Sequence, residues 1–297
     1  MLPDLHGEHF SELIRGIDLA ARARGLYLLV SSSHGDAAEA AAALRAMSGR
    51  VDGLLVMSPH VSADFLWGNV ANDVPAVLMT RMWPAAGIRR SRSTTAAAPT
   101  QWFATSSSGA IATSPSSPGQ KATSRHRLRG YRAAIAELLP ATFEHVLQGD
   151  FTQESGFRAG SQVVALTRRP SAVFASNDMM AIGCLSALNE ADVLVPNDIA
   201  LAGFDDIPIS RYVNPSLTTV RARITELGGL ELERLASAIE EPDRIAPLHQ
   251  TLRADLIVRQ STAGPAPLAS TGGTGNASGS ALANTTDSSS RDVAPLR

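Results

Sequence analysis

The hydrophobic pattern of the chain is clearest between Arg169 and Asp206. Ser171–Ser176 is a short run with Val173 and Phe174 at its centre, the pattern of a strand buried on both faces. Asn177-Asp178 stands where a helix needs a cap, because a short polar side chain accepts the free amides of the first turn. From Met179 to Glu190 apolar residues recur at helical spacing, and Val195-Pro196-Asn197-Asp198 breaks the pattern. Ile199–Phe204 predicts a second buried strand, ending in Asp205-Asp206. Strand, helix and strand in this order form a parallel crossover unit. Both strands end in polar residues on one sheet edge, the carboxyl edge at which open α/β sheets bind ligands. Asn177 and Asp205 are therefore candidate ligand contacts. Each also has a plainer role, Asn177 as a helix cap and Asp205 as a strand end.

The rest of the chain follows the same alternation, with one gap. Phe10–Gly25 carries Phe10, Leu13, Ile14, Ile17 and Ala21 on one stripe and predicts an amphipathic helix. Leu26–Ser32 predicts an apolar strand, Ala37–Ser48 an Ala-rich helix, Leu54–Met57 a strand, Ser62–Asn72 a helix, and Pro75–Thr80 a strand ending at Arg81. Periodicity fails between Ile88 and Ser124, a segment rich in Ser, Thr, Ala, Pro and Arg. Order returns with a helix from Arg127 to about Leu138. A strand over Glu144–Asp150 and a helix over Ser155–Thr167 lead to the stretch already described. Pro215–Val220 predicts a crossing segment, Thr225–Ile239 a helix, and Asp255–Arg259 a last strand. Residues 261–297 are mostly Ser, Thr, Gly, Ala, Asn and Pro, and predict a disordered tail.

Composition narrows the function. The 297 residues suffice for one large or two ordinary domains. A net charge of -2 gives no broad basic field for nucleic acid. A single cysteine, Cys184, excludes a disulfide scaffold and suits a reducing compartment; inside a helix it reads as a small core residue. Asp4, Glu8 and Glu12 stand where a secretion signal would be apolar, and no run approaches the ~20 apolar residues of a membrane helix. Catalytic constellations are absent. His6 and His9 lack a third metal ligand. Asp205 and Asp206, neighbours on an extended segment, would point to opposite faces and make a poor acid/base pair. The expectation is a protein that is not an enzyme and carries no cofactor and no metal.

Several stretches taken together resemble a known family. They are Pro3-Asp4, Val51-Asp52-Gly53, Arg129-Gly130-Tyr131-Arg132-Ala133-Ala134, Pro170 to Asp178, Val195-Pro196-Asn197-Asp198, Gly203-Phe204-Asp205-Asp206 and Pro215 to Val220. In this order they resemble the effector-binding core of LacI/GalR-family transcription regulators over about residues 1–87 and 125–262. The resemblance implies an α/β fold of two doubly wound parallel-sheet subdomains, of the periplasmic-binding-protein type I kind, with an effector in the cleft between them. One subdomain would comprise 1–87 with about 218–245, the other 125–217 with about 246–260. The resemblance also implies a homodimer in the cytoplasm and, for the intact family member, operator DNA as a partner. By position, Phe10 and Arg81 would face the cleft from one side, and Arg127, Phe151, Asn177 and Asp205 from the other. Arg and Asp make directional charge-assisted bonds to hydroxyls, and an aromatic ring covers an apolar sugar face, so the expected effector is sugar-like. A periplasmic sugar-binding protein of a transport system, which shares the fold, is the rival reading.

Two departures from the family pattern set further expectations. The chain starts after the point where family members carry a helix-turn-helix head and the first strand of the core, so it is expected to lack the DNA-reading helix and a central strand. Ile88–Ser124 stands in place of the first strand of the second subdomain. Back-translated, with each codon begun at the third base of the preceding one, it can read Pro-Ser-Ile-Ser-Val-Asp-Asn and then Gly-His-Arg-His-Ile-Ala-Val-Ile-Ala-Gly-Pro. Those strings resemble what the family carries there. Segment 88–124 is accordingly expected to be frameshifted, leaving each subdomain short of one strand.

Overall fold

The computed structural model describes residues 1–3, 7–57, 65, 68–70, 74–79, 89–90, 110–115, 121–138, 144–241, 252 and 254–263. Six α-helices are formed among them: α1 (Glu8–Ala23), α2 (Ala37–Met47), α3 (Lys121–Leu138), α4 (Gln153–Ala165), α5 (Asp178–Glu190) and α6 (Ile224–Glu240). The strands are β1 (Leu54–Val56), β2 (Ala76–Leu78), β3 (Arg89–Arg90), β4 (Ala110–Pro115), β5 (Glu144–Gly149), β6 (Ala172–Phe174), β7 (Ala200–Ala202), β8 (Thr219–Arg221) and β9 (Asp255–Ile257). Helix starts follow cap chemistry. Asp36 Oδ1 accepts the amides of Ala38 at 2.7 Å and Glu39 at 2.9 Å, and Thr152 Oγ1 accepts that of Ser155 at 3.1 Å.

Two parallel sheets organise the chain. The first runs β1-β2-β3 and the second β5-β4-β6-β7. Antiparallel β8 and β9 form a separate ribbon, and bridges from Thr218 to Ala202 and from Arg221 to Asp205 lay β8 along the end of β7. Side chains alternate across each strand, so both faces of both sheets need cover. In the first sheet Leu54, Val56 and Leu78 pack with Leu44 and Met47 of α2. Leu55, Met57 and Met79 pack instead with Leu13 and Ile17 of α1 and Ile224 and Leu232 of α6. In the second, Phe174 and Phe204 pack with Tyr131 and Ile135 of α3. Val173 and Leu201 face Val163 of α4 and Met180, Cys184 and Leu188 of α5. Helices cover both faces of each sheet, the doubly wound α/β arrangement expected from the sequence. Cys184 is fully buried in this core.

α4 and α5 cross where side chains are missing. A Cβ on Gly183 would lie 1.9 Å from the Gln153 carbonyl oxygen, which belongs to backbone and cannot step aside. α1 and α6 meet in the same way at Gly16, 1.9 Å from the Thr225 carbonyl oxygen.

The structure departs from the sequence pattern in several places, among them the short strand β3 inside the segment where periodicity fails. Leu26–Ser32 forms no strand beyond an isolated bridge of Ser32 to Leu2. Leu2 N donates to Ser31 O and Ser33 N to Leu2 O, both at 2.9 Å, while Met57 N donates to Met1 O at 2.9 Å. Among the described residues Met1-Leu2 alone lies between Leu26–Ser32 and β1, and apolar composition alone does not make a strand. In the second sheet β4 occupies a central position, paired with β5 over Ala110–Pro115 and with β6 over Ala110–Ala112, where the Ser- and Thr-rich pattern offered no strand. Two flanking ladders set this strand where alternation did not. α3 starts at Lys121, six positions before the predicted Arg127. Finally, residues 261–263 belong to the fold and not to a tail. Ser261 is fully buried, with its hydroxyl donating to Leu201 O at 2.6 Å and accepting from Thr218 N at 2.7 Å. The predicted helix over Ser62–Asn72 lies largely outside the described residues, as do residues 264–297 and most of 88–124.

Candidate functional site

The carboxyl ends of β6 and β7 lie side by side, tied by the Asp178 amide donating to Phe204 O at 2.8 Å. Beyond β6 the chain reaches Asn177, whose Oδ1 accepts the Met180 amide at 3.0 Å and caps α5. Its Nδ2 donates to Phe151 O at 2.9 Å, so the same side chain clamps the loop after β5. Phe151 sits at φ 70°, left-handed backbone that a bulky residue rarely adopts.

Beyond β7 the backbone is unusual at two successive residues. Asp205 has φ 118° and Asp206 φ 58°, each a conformation costing roughly 1–3 kcal/mol unless the surroundings fix it. They are therefore not on an extended segment, as alternation had suggested, although they do reach different partners. Asp205 N donates to Val220 O at 2.8 Å and Asp206 N to Thr219 Oγ1 at 3.3 Å. The Asp206 carboxylate takes Arg221 Nε at 2.7 Å and Arg259 Nη2 at 2.5 Å. Asp178 Oδ2 accepts the Ile207 amide at 3.0 Å, and its Oδ1 accepts the Thr219 hydroxyl at 2.5 Å. These bonds hold the strained turn in one conformation and aim Asp205 away from Asp206.

Asp205 is aimed at Arg127. The guanidinium arrives from α3 and is itself buried. It donates from Nη1 to Ser176 O and from Nη2 to Asp205 Oδ1 at 3.1 Å. Its Cζ lies 3.8 Å from the Phe204 ring centroid and 5.9 Å from that of Phe151, within cation–π range. From the first sheet's side, α1 brings His9, whose Nδ1 is 3.5 Å from Asp205 Oδ2. Burial alone would raise the Asp205 carboxyl; the charge of Arg127, then that of His9, outweighs it and holds the group below its ordinary value. Burial pulls the Arg127 guanidinium down, and the Asp205 and Asp178 carboxylates offset part of that pull. Asp178 goes the other way. Burial first, and the neighbouring Asp205 charge second, push it well above the usual carboxylate range despite its two hydrogen bonds.

Four of the six residues predicted from sequence meet here: Arg127, Phe151, Asn177 and Asp205. Phe10 lies half-buried on α1, packed with Leu2, Leu13 and Ile17 and edge-on to His9 with ring centroids 5.4 Å apart. Arg81 falls outside the described residues. Sequence reasoning weighed His9 only as a metal ligand. It saw Asp178 only as part of a cap, and it missed Arg259 and Arg221 as holders of Asp206. Spacing offers no signal for contacts between residues so far apart in the chain; the adjacency of Asp178 to Asn177 at a strand end was the one available hint. Among the described residues no group of His, Cys, Asp and Glu is arranged to hold a metal ion. No helix among them is long and apolar enough to cross a membrane.

Comparison with known proteins supports a regulator. Residues 107–262 match the periplasmic binding protein-like domain family. The ribose operon repressor of Escherichia coli (strain K12) is 34% identical over 244 residues, covering 78% of this chain and 72% of the repressor. The chain belongs to the LacI family. The transcriptional repressor PurR of Photobacterium profundum is 29% identical over 260 residues, covering 85% of this chain and 77% of the relative. Among solved structures, a LacI-family transcriptional regulator from Enterococcus faecium with bound ribose superposes with a TM-score of 0.76 at 23% identity, covering 88% of this chain and 97% of that one. The lac repressor dimer bound to operator and an anti-inducer superposes with a TM-score of 0.74 at 22% identity, covering 87% and 91%. The chain is thus the effector-binding core of a LacI-family regulator with the periplasmic-binding-protein-like α/β fold. Both of these sequence relatives are named as repressors.

Proposed function

We propose that this core binds a sugar-like effector against Asp205, Arg127, Asn177 and Phe151, with Phe10 and Arg81 contributing from the other half, and passes the bound state to operator binding by a cytoplasmic homodimer. The observation that carries the reading is the fixed Arg127–Asp205 pair at the carboxyl end of β7. A buried carboxylate held at one oxygen by a guanidinium presents its other oxygen in a set direction, which suits recognition of a hydroxyl. Phe151 beside it offers the flat apolar surface that a sugar ring covers. The ribose bound to the Enterococcus faecium regulator makes a pentose the first effector to try.

Isothermal calorimetry with D-ribose and a panel of pentoses and hexoses tests this. Asp205→Ala and Asn177→Ala should each weaken binding by about 1.5–3 kcal/mol, a loss of roughly 10- to 150-fold. Unchanged affinity in both variants overturns the site assignment.

A further inference from the structure

We propose that His9 is a proton-sensitive bridge from α1 to Asp205, and that its protonated form competes with the effector for Asp205 Oδ2. The inference rests on the proposed effector site, and deepens it by adding a positioning residue and a dependence on pH.

The geometry points this way because the two Asp205 oxygens have different partners. Oδ1 takes Arg127 at 3.1 Å. Oδ2 faces His9 Nδ1 at 3.5 Å, an ion-pair distance longer than a good hydrogen bond. Nδ1 is buried and, among the described residues, has no well-formed hydrogen bond, Asp205 Oδ2 being the acceptor it faces. A buried ring nitrogen aimed at a buried carboxylate gains most from the contact when it carries a proton. Histidine is the side chain whose charge changes between about pH 5 and 8. The other charged groups placed near the pair by the described residues have partners of their own. On α1, Glu8 Oε2 accepts the Ile209 amide at 3.3 Å, and Glu12 Oε2 takes the Thr225 hydroxyl at 2.8 Å and Arg15 at 3.4 Å. Asp178 is turned to Thr219 and Ile207, and Asp206 to Arg221 and Arg259. Arg127 gives Nη1 to Ser176 O and Nη2 to Asp205 Oδ1, with its buried Nε unpartnered among the described residues. Asp205 Oδ2 is thus the acceptor left to His9, and the oxygen an effector hydroxyl would take.

Protonating His9 strengthens its hold on Oδ2 and ties α1 to the turn after β7. An effector hydroxyl must then displace an imidazolium, so binding releases a proton and weakens as pH falls.

Two measurements test the bridge. The first needs no effector: a double-mutant cycle of His9→Phe and Asp205→Asn, read by urea unfolding of the full chain. His9→Phe retains an aromatic ring against Phe10, and the cycle cancels the loss of the Arg127 pair that Asp205→Asn also causes. The midpoint shifts should be non-additive at pH 6 and additive at pH 8. Additivity at both values overturns the proposal. The second titrates D-ribose into wild type and His9→Phe. Wild-type affinity should fall from pH 8 to pH 6, with the roughly hundredfold change that release of one whole proton gives over two pH units as the ceiling, and His9→Phe should not follow. A fall of the same size in both, or tighter binding at pH 6, overturns it. If neither ribose nor any other sugar of the panel binds while the cycle is non-additive at pH 6, the bridge stands and the proposed effector reading falls.

Discussion

Leu26–Val30 and Ala172–Phe174 are both short apolar runs, and they meet opposite fates. Ala172, Val173 and Phe174 form β6, paired on one side by β4 and on the other by β7, and all three are buried. In Leu26–Val30, Tyr27 is fully exposed at 101%, Leu29 is 57% exposed, and Val30 is also exposed. Among the described residues no backbone hydrogen bond reaches the amides of Tyr27, Leu28, Leu29 or Val30. The difference lies in the neighbours and not in the residues. A parallel strand is held by ladders on both edges and by helices on both faces. The second sheet supplies all four around β6, whereas Leu26 and Leu28 pack on one side toward α1 and α6 and, among the described residues, the segment forms a backbone bridge only to Leu2.

A charge placed in each run should expose the contrast most sharply, and the second sheet should suffer first. Phe174→Asp would put an unpaired carboxylate between Tyr131 and Phe204. Burying such a charge takes several kcal/mol, comparable with the whole stability of a domain, ~5–15 kcal/mol. The variant should show no cooperative urea transition. A sharp transition at the wild-type midpoint would mean that β6 is not central to the core.

The next effect concerns the pair that the second sheet supports. Arg127→Ala leaves Asp205 buried with only His9 beside it and strips the cation from the Phe204 face. Removing one partner of a buried pair costs about 3–5 kcal/mol, and the urea midpoint should drop accordingly. A loss under about 1 kcal/mol, the range of an exposed pair, would show that the pair is solvated.

Asp178→Asn should be milder and should depend on pH. The folded-state carboxyl is raised by burial and by the Asp205 charge. Its contribution to stability is therefore complete below the unfolded value, near pH 3.9, and is lost as pH rises toward the folded value. Asparagine has no such proton, yet can accept from Ile207 N and donate to Thr219 Oγ1. The variant should lose less stability than wild type as pH rises above about 4. Asp205 acts in the opposite sense, because its lowered carboxyl contributes stability that is lost only as pH falls below its unfolded value. Urea midpoints from pH 3 to pH 8 separate the two. Parallel profiles for wild type and Asp178→Asn would refute the assignment to Asp178.

What the sequence made legible follows the same divide. From Glu144 to Ile257 the predicted elements all formed, with ends shifted by a few positions, because each local signal agrees with its surroundings: Asn177 caps, Val195-Pro196 follows the helix end, and Val173 and Phe174 are buried on opposite faces. β4 was illegible, since Ala110–Pro115 shows no apolar alternation and is placed by its two neighbours. The expected shift of reading frame falls mostly on residues outside those described. At the site, polar residues at strand ends pointed to Asn177 and Asp205. The roles of His9, Arg259 and Asp178 depend on contacts made across the fold, which no spacing in the chain encodes.

The smallest expected effect closes the comparison from the other side. Leu29→Asp introduces the same charge as Phe174→Asp, but on a side chain that is 57% exposed. Water solvates the carboxylate in the folded and unfolded states alike, and substitutions at such positions usually stay within about 0.5 kcal/mol. The urea midpoint should therefore match wild type within that margin. Hydrogen exchange adds a backbone readout that is independent of the side chain. The amides of Tyr27 to Val30 have no partner among the described residues and should exchange at close to the unprotected rate, while that of Ala175, bonded to Ala202 O at 2.8 Å, should exchange only through extensive unfolding. If Leu29→Asp lowers the midpoint by more than about 1 kcal/mol, or if the amides of Leu28 and Leu29 are protected as strongly as that of Ala175, then Leu26–Val30 is covered in solution and the two runs are alike after all.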